Sequence, residues 1–313
     1  MNGAKRFLSR VAVTLTLLSC YSRTFANKSL SKLPRVYTPN KLLNSKEVVV
    51  DVKIGHYLKN VLRLRKGSQF RLFNEFEGEF LCEFTDTADS SKRPKVIIIE
   101  NIKFSTDHLR LNFPLYFAPI KNSKLKLLFE GCTELGVTDY VPVITQNVVC
   151  QYDDFESYKP RLIESIEQSE QFIIPTIRSP LKIKELLASW PVDDGGSDSS
   201  SHLTAPVLFV CRERSLGSSS FRATISENLD IACNAFSSGT LVTASLLPGG
   251  VSAPGGVLIG PEGGFTSEVL DLMASFPFVR FVSLGSSVLR TEIAAIAAVS
   301  ALTDVLRDLR DVR

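Results

Sequence analysis

The sequence predicts a two-part protein, a small β-barrel followed by an α/β domain built on a parallel sheet. Three observations carry that expectation. Short apolar runs separated by turn residues crowd the stretch from Gln69 to Phe113, as in a small β unit. From Pro114 onward strand-like and helix-like periods alternate, which is the α/β signature. In the last fifth of the chain two apolar segments each break at a glycine, Gly260 and Gly285, and then run into a helical pattern. A parallel sheet builds its ligand crevice from turns of this kind at the carboxyl ends of its strands.

With 313 residues, 44% of them hydrophobic and 22% charged, the chain has material for about two soluble globular domains. The net charge of +3 is unevenly spread, because residues 1–46 carry nine Lys or Arg and no acid, leaving the remainder at net −6. A mildly acidic body does not bind nucleic acid indiscriminately, so a polyanion must meet a local patch. Between Asp51 and Arg71 lie Lys53, Lys59, Arg63, Arg65 and Lys66, which form either such a patch or an ordinary solvated face. The six cysteines show no C-x-x-C pairing and read as reduced thiols, and the three histidines are too widely separated for a metal site.

The N-terminus has its own character. Lys5, Arg6 and Arg10 precede a nine-residue apolar run, Val11 to Ser19, which is signal-like and too short to span a bilayer. The acid-free, basic and Ser-rich stretch from Tyr21 to Lys46 resembles a transit peptide placed behind it. Such a leader suits a plastid or apicoplast reached through the secretory route; a mitochondrial presequence and simple secretion are the competing readings, and unpaired cysteines fit secretion poorly. The expected division is a leader over 1–33, a β-barrel over 34–112 and an α/β domain over 113–313.

Along the barrel, Glu47 to Val52 alternates, a short helix runs from Gly55 to Leu64, and strands follow at Gln69 to Phe73, Glu79 to Phe84, Val96 to Ile99 and Leu109 to Phe113. In the α/β part the expected order is strand Leu115 to Pro119, helix Ser123 to Leu135, strand Val141 to Ile144, helix Arg161 to Gln171, strand Val207 to Cys211, then the two glycine loops. The Asp-, Gly- and Ser-rich tract within 191–206 has no apolar area to bury and reads as a disordered insertion. The last helix, Leu289 to Leu309, carries Ala294, Ala295, Ala297 and Ala298, small residues that let another backbone pack close. Glu292 and Asp304 bracket an apolar stretch far short of the roughly 20 residues of a membrane span.

Gly260-Pro261-Glu262-Gly263-Gly264 is not a phosphate loop, since it lacks a Gly-Lys-Ser/Thr ending and places an acid where cations would be needed. Backbone donors and acceptors beside one carboxylate suit a ligand with an adenine edge, ribose hydroxyls and a positive sulfonium centre; a tight structural turn is the competing reading for the Gly-Gly pair taken alone. The combination decides. Val-Leu-Ile-Gly-Pro-Glu-Gly-Gly-Phe (257–265), followed by Leu-Gly-x-x-Val-Leu-Arg-x-Glu-x-Ala (284–294), with Glu134-Leu135-Gly136-Val137 and Ile166-Glu167-Gln168-Ser169 upstream, resembles the RsmE family of SPOUT-superfamily RNA methyltransferases. The resemblance runs from about Gly55 to Leu302.

That resemblance implies a PUA-like RNA-binding barrel joined to a SPOUT-type, trefoil-knotted α/β methyltransferase domain, an unusual topology. It implies S-adenosyl-L-methionine as cofactor, methylation of a uridine N3 in bacterial-type (16S) small-subunit rRNA, and a homodimer with no membrane in its mature form. Residue by residue, it places Ile259, Gly260, Pro261, Glu262, Gly263, Gly264, Leu284 and Gly285 on the cofactor, with Val288 and Leu289 lining the adenine pocket and Leu208 to Cys211 ending a strand at the crevice. Arg290 would face the RNA or the target uridine, with Glu292 fixing it; an ordinary ion pair at a helix start is the competing reading. Glu134 would orient a helix end. On the barrel, His56 with Arg63, Arg65 and neighbouring Lys66 matches the family's His…Val-Leu-Arg pattern in kind. No metal is needed for the transfer.

Two departures stand out. Where the family carries basic residues, this chain has Gly131 and Gln171, and the loss of either would weaken contact with RNA phosphate. They motivate a reading from another class, a non-catalytic rRNA-binding assembly factor. Methylation of another RNA position is the alternative within the superfamily.

Overall fold

The structure is a computed structural model of the full chain and describes residues 30–42, 46–85, 94–104, 113–147, 155–191, 206–212, 220–227, 246–247, 251–252 and 255–311. It divides into two compact units, 1–108 and 109–313. The signal-like run, the transit-like stretch up to residue 29 and most of the tract at 191–206 lie outside the described residues.

The first unit is a five-stranded sheet of β1 (Arg35–Tyr37), β2 (Glu47–Val49), β3 (Gln69–Asn74), β4 (Gly78–Thr85) and β5 (Lys95–Lys103), in the order β1-β3-β4-β5-β2. β1 pairs parallel to β3; the other pairs are antiparallel. Val36 of β1 and Val48 of β2 belong to the same buried cluster as Phe70, Leu72, Phe80, Phe84 and Val96, so the two edge strands curl toward one core. The expected short helix begins earlier than the periodicity suggests. Asp51 caps α1 (Val52–His56) by accepting from the Lys53 amide at 2.8 Å, and the helix continues as a π-turn over Tyr57–Val61. The turn ends at Arg63 in the left-handed region, at φ 55°.

The acid-free stretch up to Lys46 extends past the expected end of the leader at residue 33 into folded chain. β1 lies inside the acid-free stretch, and Arg71 donates to the carbonyls of Leu33 at 3.2 Å and Ser31 at 3.4 Å. Strand pairing across dozens of residues leaves no composition signal, which is why the charge pattern does not mark the edge of the folded body.

The second unit carries β6 (Leu115–Phe117), β7 (Asp139–Ile144), β8 (Thr176–Ile177), β9 (Leu181–Lys182), β10 (Val207–Cys211), a two-residue pair β11 (Leu246–Leu247) with β12 (Val251–Ser252), β13 (Gly255–Ile259) and β14 (Val279–Val282). The main sheet runs β14-β10-β13-β6-β7-β8 with every pair parallel, and β9 also pairs parallel to β7. Among its helices are α2 (Asn122–Glu134), α3 (Lys159–Gln168), α4 (Ile183–Ala188), α5 (Ser267–Ala274) and α6 (Thr291–Asp311).

Alternation along the strands assigns the helices to faces. Phe209, Val257, Ile259 and Val282 point to one side, where α2, α3 and α6 contribute Leu128, Phe129, Leu162, Ala295, Ala298 and Leu302. Leu208, Val210, Leu258 and Val279 point to the other, against Leu186 and Leu187 of α4 and Val269 and Met273 of α5. Gly136, at φ +98°, ends α2, and the Val137 amide reaches back to the Cys132 carbonyl at 3.0 Å. The expected trefoil knot depends on the course of the chain through 213–219 and 228–245, outside the described residues. No helix among the described residues is long and apolar enough to cross a membrane.

Candidate cofactor cleft and nucleic-acid face

At the carboxyl end of the sheet, β10, β13 and β14 stop side by side, and the turns that follow them enclose a cavity of about 310 Å³. It is lined by Cys211 and Arg212 after β10, by Ile259, Gly260, Pro261, Gly264 and Phe265 after β13, and by Leu284, Gly285, Ser287 and Leu289 after β14. Thr291 and Ala294 at the start of α6 and Leu270 of α5 complete the wall.

The glycines of these turns have distinct reasons. A Cβ on Gly260 would lie 2.8 Å from the Phe265 ring, so the close approach of that ring requires glycine. Gly264 at φ +70° and Gly285 at φ +127° adopt left-handed backbone that an L side chain resists, with open space around each. Cross-links hold the two turns. The Thr291 hydroxyl donates to the Gly260 carbonyl at 3.1 Å, tying the start of α6 to the first loop. Asn147, just beyond β7, donates to the Gly264 carbonyl at 3.2 Å, and the Thr266 hydroxyl, at the N-cap of α5, donates to Gln146 Oε1 at 2.9 Å. The Ser283 hydroxyl donates to the Gly285 carbonyl at 3.1 Å.

The structure brings together Ile259, Gly260, Pro261, Gly264, Leu284, Gly285 and Leu289, all singled out from the sequence. It separates the others. Leu208 does not reach the cavity; it sits at the opposite end of β10, fully buried among the α4 and α5 side chains, and Cys211 and Arg212 occupy the strand's mouth instead. Val288 is exposed, with Ser287 and Leu289 on either side of it facing the cavity. Gly263 is exposed beside Asn147. Glu262 points away from the cavity and forms an ion pair with Lys124 of α2, so its carboxylate does not supply the negative charge expected within the cleft.

Arg290 and Glu292 do not pair. Arg290 is exposed, whereas Glu292 is 3% exposed, and its Oε2 has no hydrogen-bond partner among the described residues. Residues two apart at a helix start point to different sides, which explains the separation. Burial pushes the Cys211 thiol well above its ordinary range, so this wall of the cavity carries no thiolate. The described residues hold no cluster of three or more His, Cys, Asp or Glu with metal-binding geometry.

In the first unit, His56 at the end of α1 and Arg63, Arg65 and Lys66 after the π-turn are all exposed. The Arg65 amide donates to the Ser68 hydroxyl at 3.0 Å, and the Leu64 amide to the Leu58 carbonyl at 3.0 Å, which fix the backbone from which the cations project.

Gly131 faces inward rather than toward solvent. A Cβ there would stand 2.7 Å from Cδ1 of Ile296, so the close approach of α2 and α6 fills the space a side chain would need. Gln171 is half-buried beyond α3.

The parallel sheet flanked by helices on both faces, with its cleft at the strand ends, is matched over residues 107–303 by the RNA methyltransferase domain family, and residues 50–98 match the RNA methyltransferase PUA domain. These define the class: a SPOUT-type α/β methyltransferase domain preceded by a PUA-like one. The ribosomal RNA small subunit methyltransferase E of Rickettsia conorii is 30% identical over 271 residues, 86% of this chain and 94% of its own. That of Synechocystis is 24% identical, over 96% of this chain and 88% of its own. A crystal structure of ribosomal RNA small subunit methyltransferase E from Neisseria gonorrhoeae bound to S-adenosyl methionine has the same fold, at TM-score 0.62 and 20% identity over 87% of this chain and 97% of that one. The chain belongs to the RsmE family.

Sequence reasoning placed Cys211 at the crevice but missed Arg212, Thr291 and the bracket formed by Lys124, Gln146 and Asn147. The last three lie more than 100 residues from the loop they hold. Arg212 carries a faint signal, since it directly follows a strand that the sequence predicts to end at the crevice.

Proposed function

We propose that the protein transfers a methyl group from S-adenosyl-L-methionine to N3 of a uridine in bacterial-type small-subunit rRNA, acting as a homodimer in an organelle. The observation that carries this reading is the cavity where the two glycine loops meet at the ends of β10, β13 and β14. Its volume falls at the lower end of ligand pockets, which span about 300–1,000 Å³. Ile259, Leu270, Leu284 and Leu289 suit the faces of an adenine, and the backbone of the glycine turns offers donors and acceptors for its edge and for ribose hydroxyls. S-adenosylmethionine, when bound, supplies the electrophilic methyl group, and no metal takes part in such a displacement.

The protein's share of that chemistry is alignment in a water-poor cleft. The S–CH3 bond breaks as the N3–CH3 bond forms, and the N3 proton leaves to solvent. Arg290, exposed beside lining residues Leu289 and Thr291, favours the N3 anion electrostatically. N3 lies on the Watson–Crick edge, so the base must be unpaired or extruded to react. His56, Arg63, Arg65 and Lys66 provide a phosphate-binding face of the PUA-like unit, whose affinity falls as salt rises. The homodimer follows from the family resemblance, and the organellar address from the acid-free, basic N-terminal stretch. The non-catalytic assembly factor is motivated by Gly131 and Gln171, and the packing of Gly131 against Ile296 gives the first of these a structural reason of its own.

The test is methyl transfer from isotopically labelled S-adenosylmethionine to small-subunit rRNA, free and in its particle, with mass-spectrometric mapping. One 3-methyluridine is expected, greatly reduced with Arg290→Ala. Label at a different base position, or none with the unaltered protein, would overturn the reading.

A further inference from the structure

Arg212 is the charged residue among those lining the cavity. Its backbone is fixed, because its amide donates to the Val282 carbonyl at 3.0 Å, so its Cα belongs to the rigid mouth where β10 meets β14. Its guanidinium lies 5.9 Å from the centre of the Phe281 ring, a loose cation–π contact that leaves its N–H donors open. The side chain is exposed and pairs with no carboxylate among the described residues. Among the described residues, nothing in the wall compensates it. Glu262 is outside and paired with Lys124, Glu292 is buried and absent from the wall, and the neighbouring Cys211 keeps its proton.

This arrangement constrains how the donor is held, and the argument rests on the methyltransferase reading above. S-adenosylmethionine carries a sulfonium and an ammonium, both positive, and one carboxylate. A lone guanidinium in the wall repels such a molecule unless it meets the carboxylate directly, where a forked, charge-assisted hydrogen-bond pair becomes available. We propose that Arg212 binds the carboxylate of the donor's amino-acid end and thereby selects the intact amino-acid nucleoside over analogues that lack that carboxylate. The apolar lining at Ile259, Leu284 and Leu289 then receives the adenine, which places the amino-acid end toward the mouth of β10.

Calorimetric titration of the full chain with S-adenosylhomocysteine and with 5′-methylthioadenosine, which lacks the amino-acid end, tests this without turnover. Arg212→Gln is expected to weaken S-adenosylhomocysteine about tenfold or more, while changing 5′-methylthioadenosine by less than about twofold. The second measurement also reports that the variant's cleft is intact. Arg212→Lys should fall between, since it keeps charge but not the fork. Equal weakening of both nucleosides, or unchanged affinity for both with reduced rRNA binding, would overturn the assignment and place Arg212 on the cleft's shape or on RNA. If the unaltered protein binds neither nucleoside, the methyltransferase reading fails, and this inference with it.

Discussion

Two pairs of arginines, one pair in each unit of this molecule, are placed in opposite ways. In the first unit Arg35 and Arg71 are buried and share one carboxylate: Arg35 Nε meets Glu79 Oε2 at 2.9 Å, and Arg71 Nη1 meets Glu79 Oε1 at 2.9 Å. Arg35 also lies 3.4 Å over the Phe73 ring, and Arg71 holds the Ser31 and Leu33 carbonyls. In the second unit Arg212 and Arg290 stand exposed, at or beside the cleft, without a carboxylate among the described residues. A charge withdrawn from water must bring its partner along, because desolvation costs several kcal/mol per ion. A charge left half-solvated at a cavity keeps its hydrogen-bonding capacity for a ligand. Residue type alone does not separate structural from functional cations; partnering and burial do.

The sharpest way to break this comparison is Glu79→Gln, which strands two buried guanidinium groups. A loss of about 3–5 kcal/mol is expected in urea unfolding followed on the first unit, and a loss below about 1 kcal/mol would mean that the arginines find water or other partners. Next in size is Gly131→Lys, which restores a basic residue where α2 meets α6. Overpacking against Ile296 should cost about 1–3 kcal/mol, with partial recovery in the double variant Gly131→Lys/Ile296→Ala. Improved rRNA affinity at unchanged stability would show instead that position 131 reaches solvent. Gly285→Ala meets no neighbouring atom, so its cost is backbone strain at φ +127°, about 1–2 kcal/mol by thermal or chemical unfolding, accompanied by weaker binding of S-adenosylhomocysteine. Arg290→Ala should have the least effect on folding, within about 0.5 kcal/mol, while methyl transfer to rRNA collapses. Retained transfer would remove Arg290 from the reaction.

Much of the second unit was legible along the chain because its signals are local. Val207–Cys211 reads as a strand from its unbroken apolar run, and the helix from Thr291 reads from its Ala-rich spacing. The two glycine turns read as a ligand site because glycine is required where backbone turns left-handed or a ring packs close, as at Gly264, Gly285 and Gly260. β8 and β9, with two residues each, have too few positions for any periodicity to show. β1 was hidden for a different reason. Its three residues sit in a basic, acid-free stretch, and only pairing with β3, more than 30 residues away, makes them a strand. The packing of Gly131 against Ile296 was hidden as well, since a sequence does not say which side of a helix another helix covers.

The sequence by itself determined the longer strands of the second unit's sheet, which turns must be glycine and to which family the chain belongs, because these follow from local backbone chemistry and short-range pattern. Only the tertiary structure decided which charges are spent on one another and which remain open. Glu262 turned to Lys124, Glu292 went inward, and Arg212 was left at the mouth of the cleft. The physical reason is that electrostatic partnering depends on distance and burial between groups far apart in the chain, and neither is written in the order of residues.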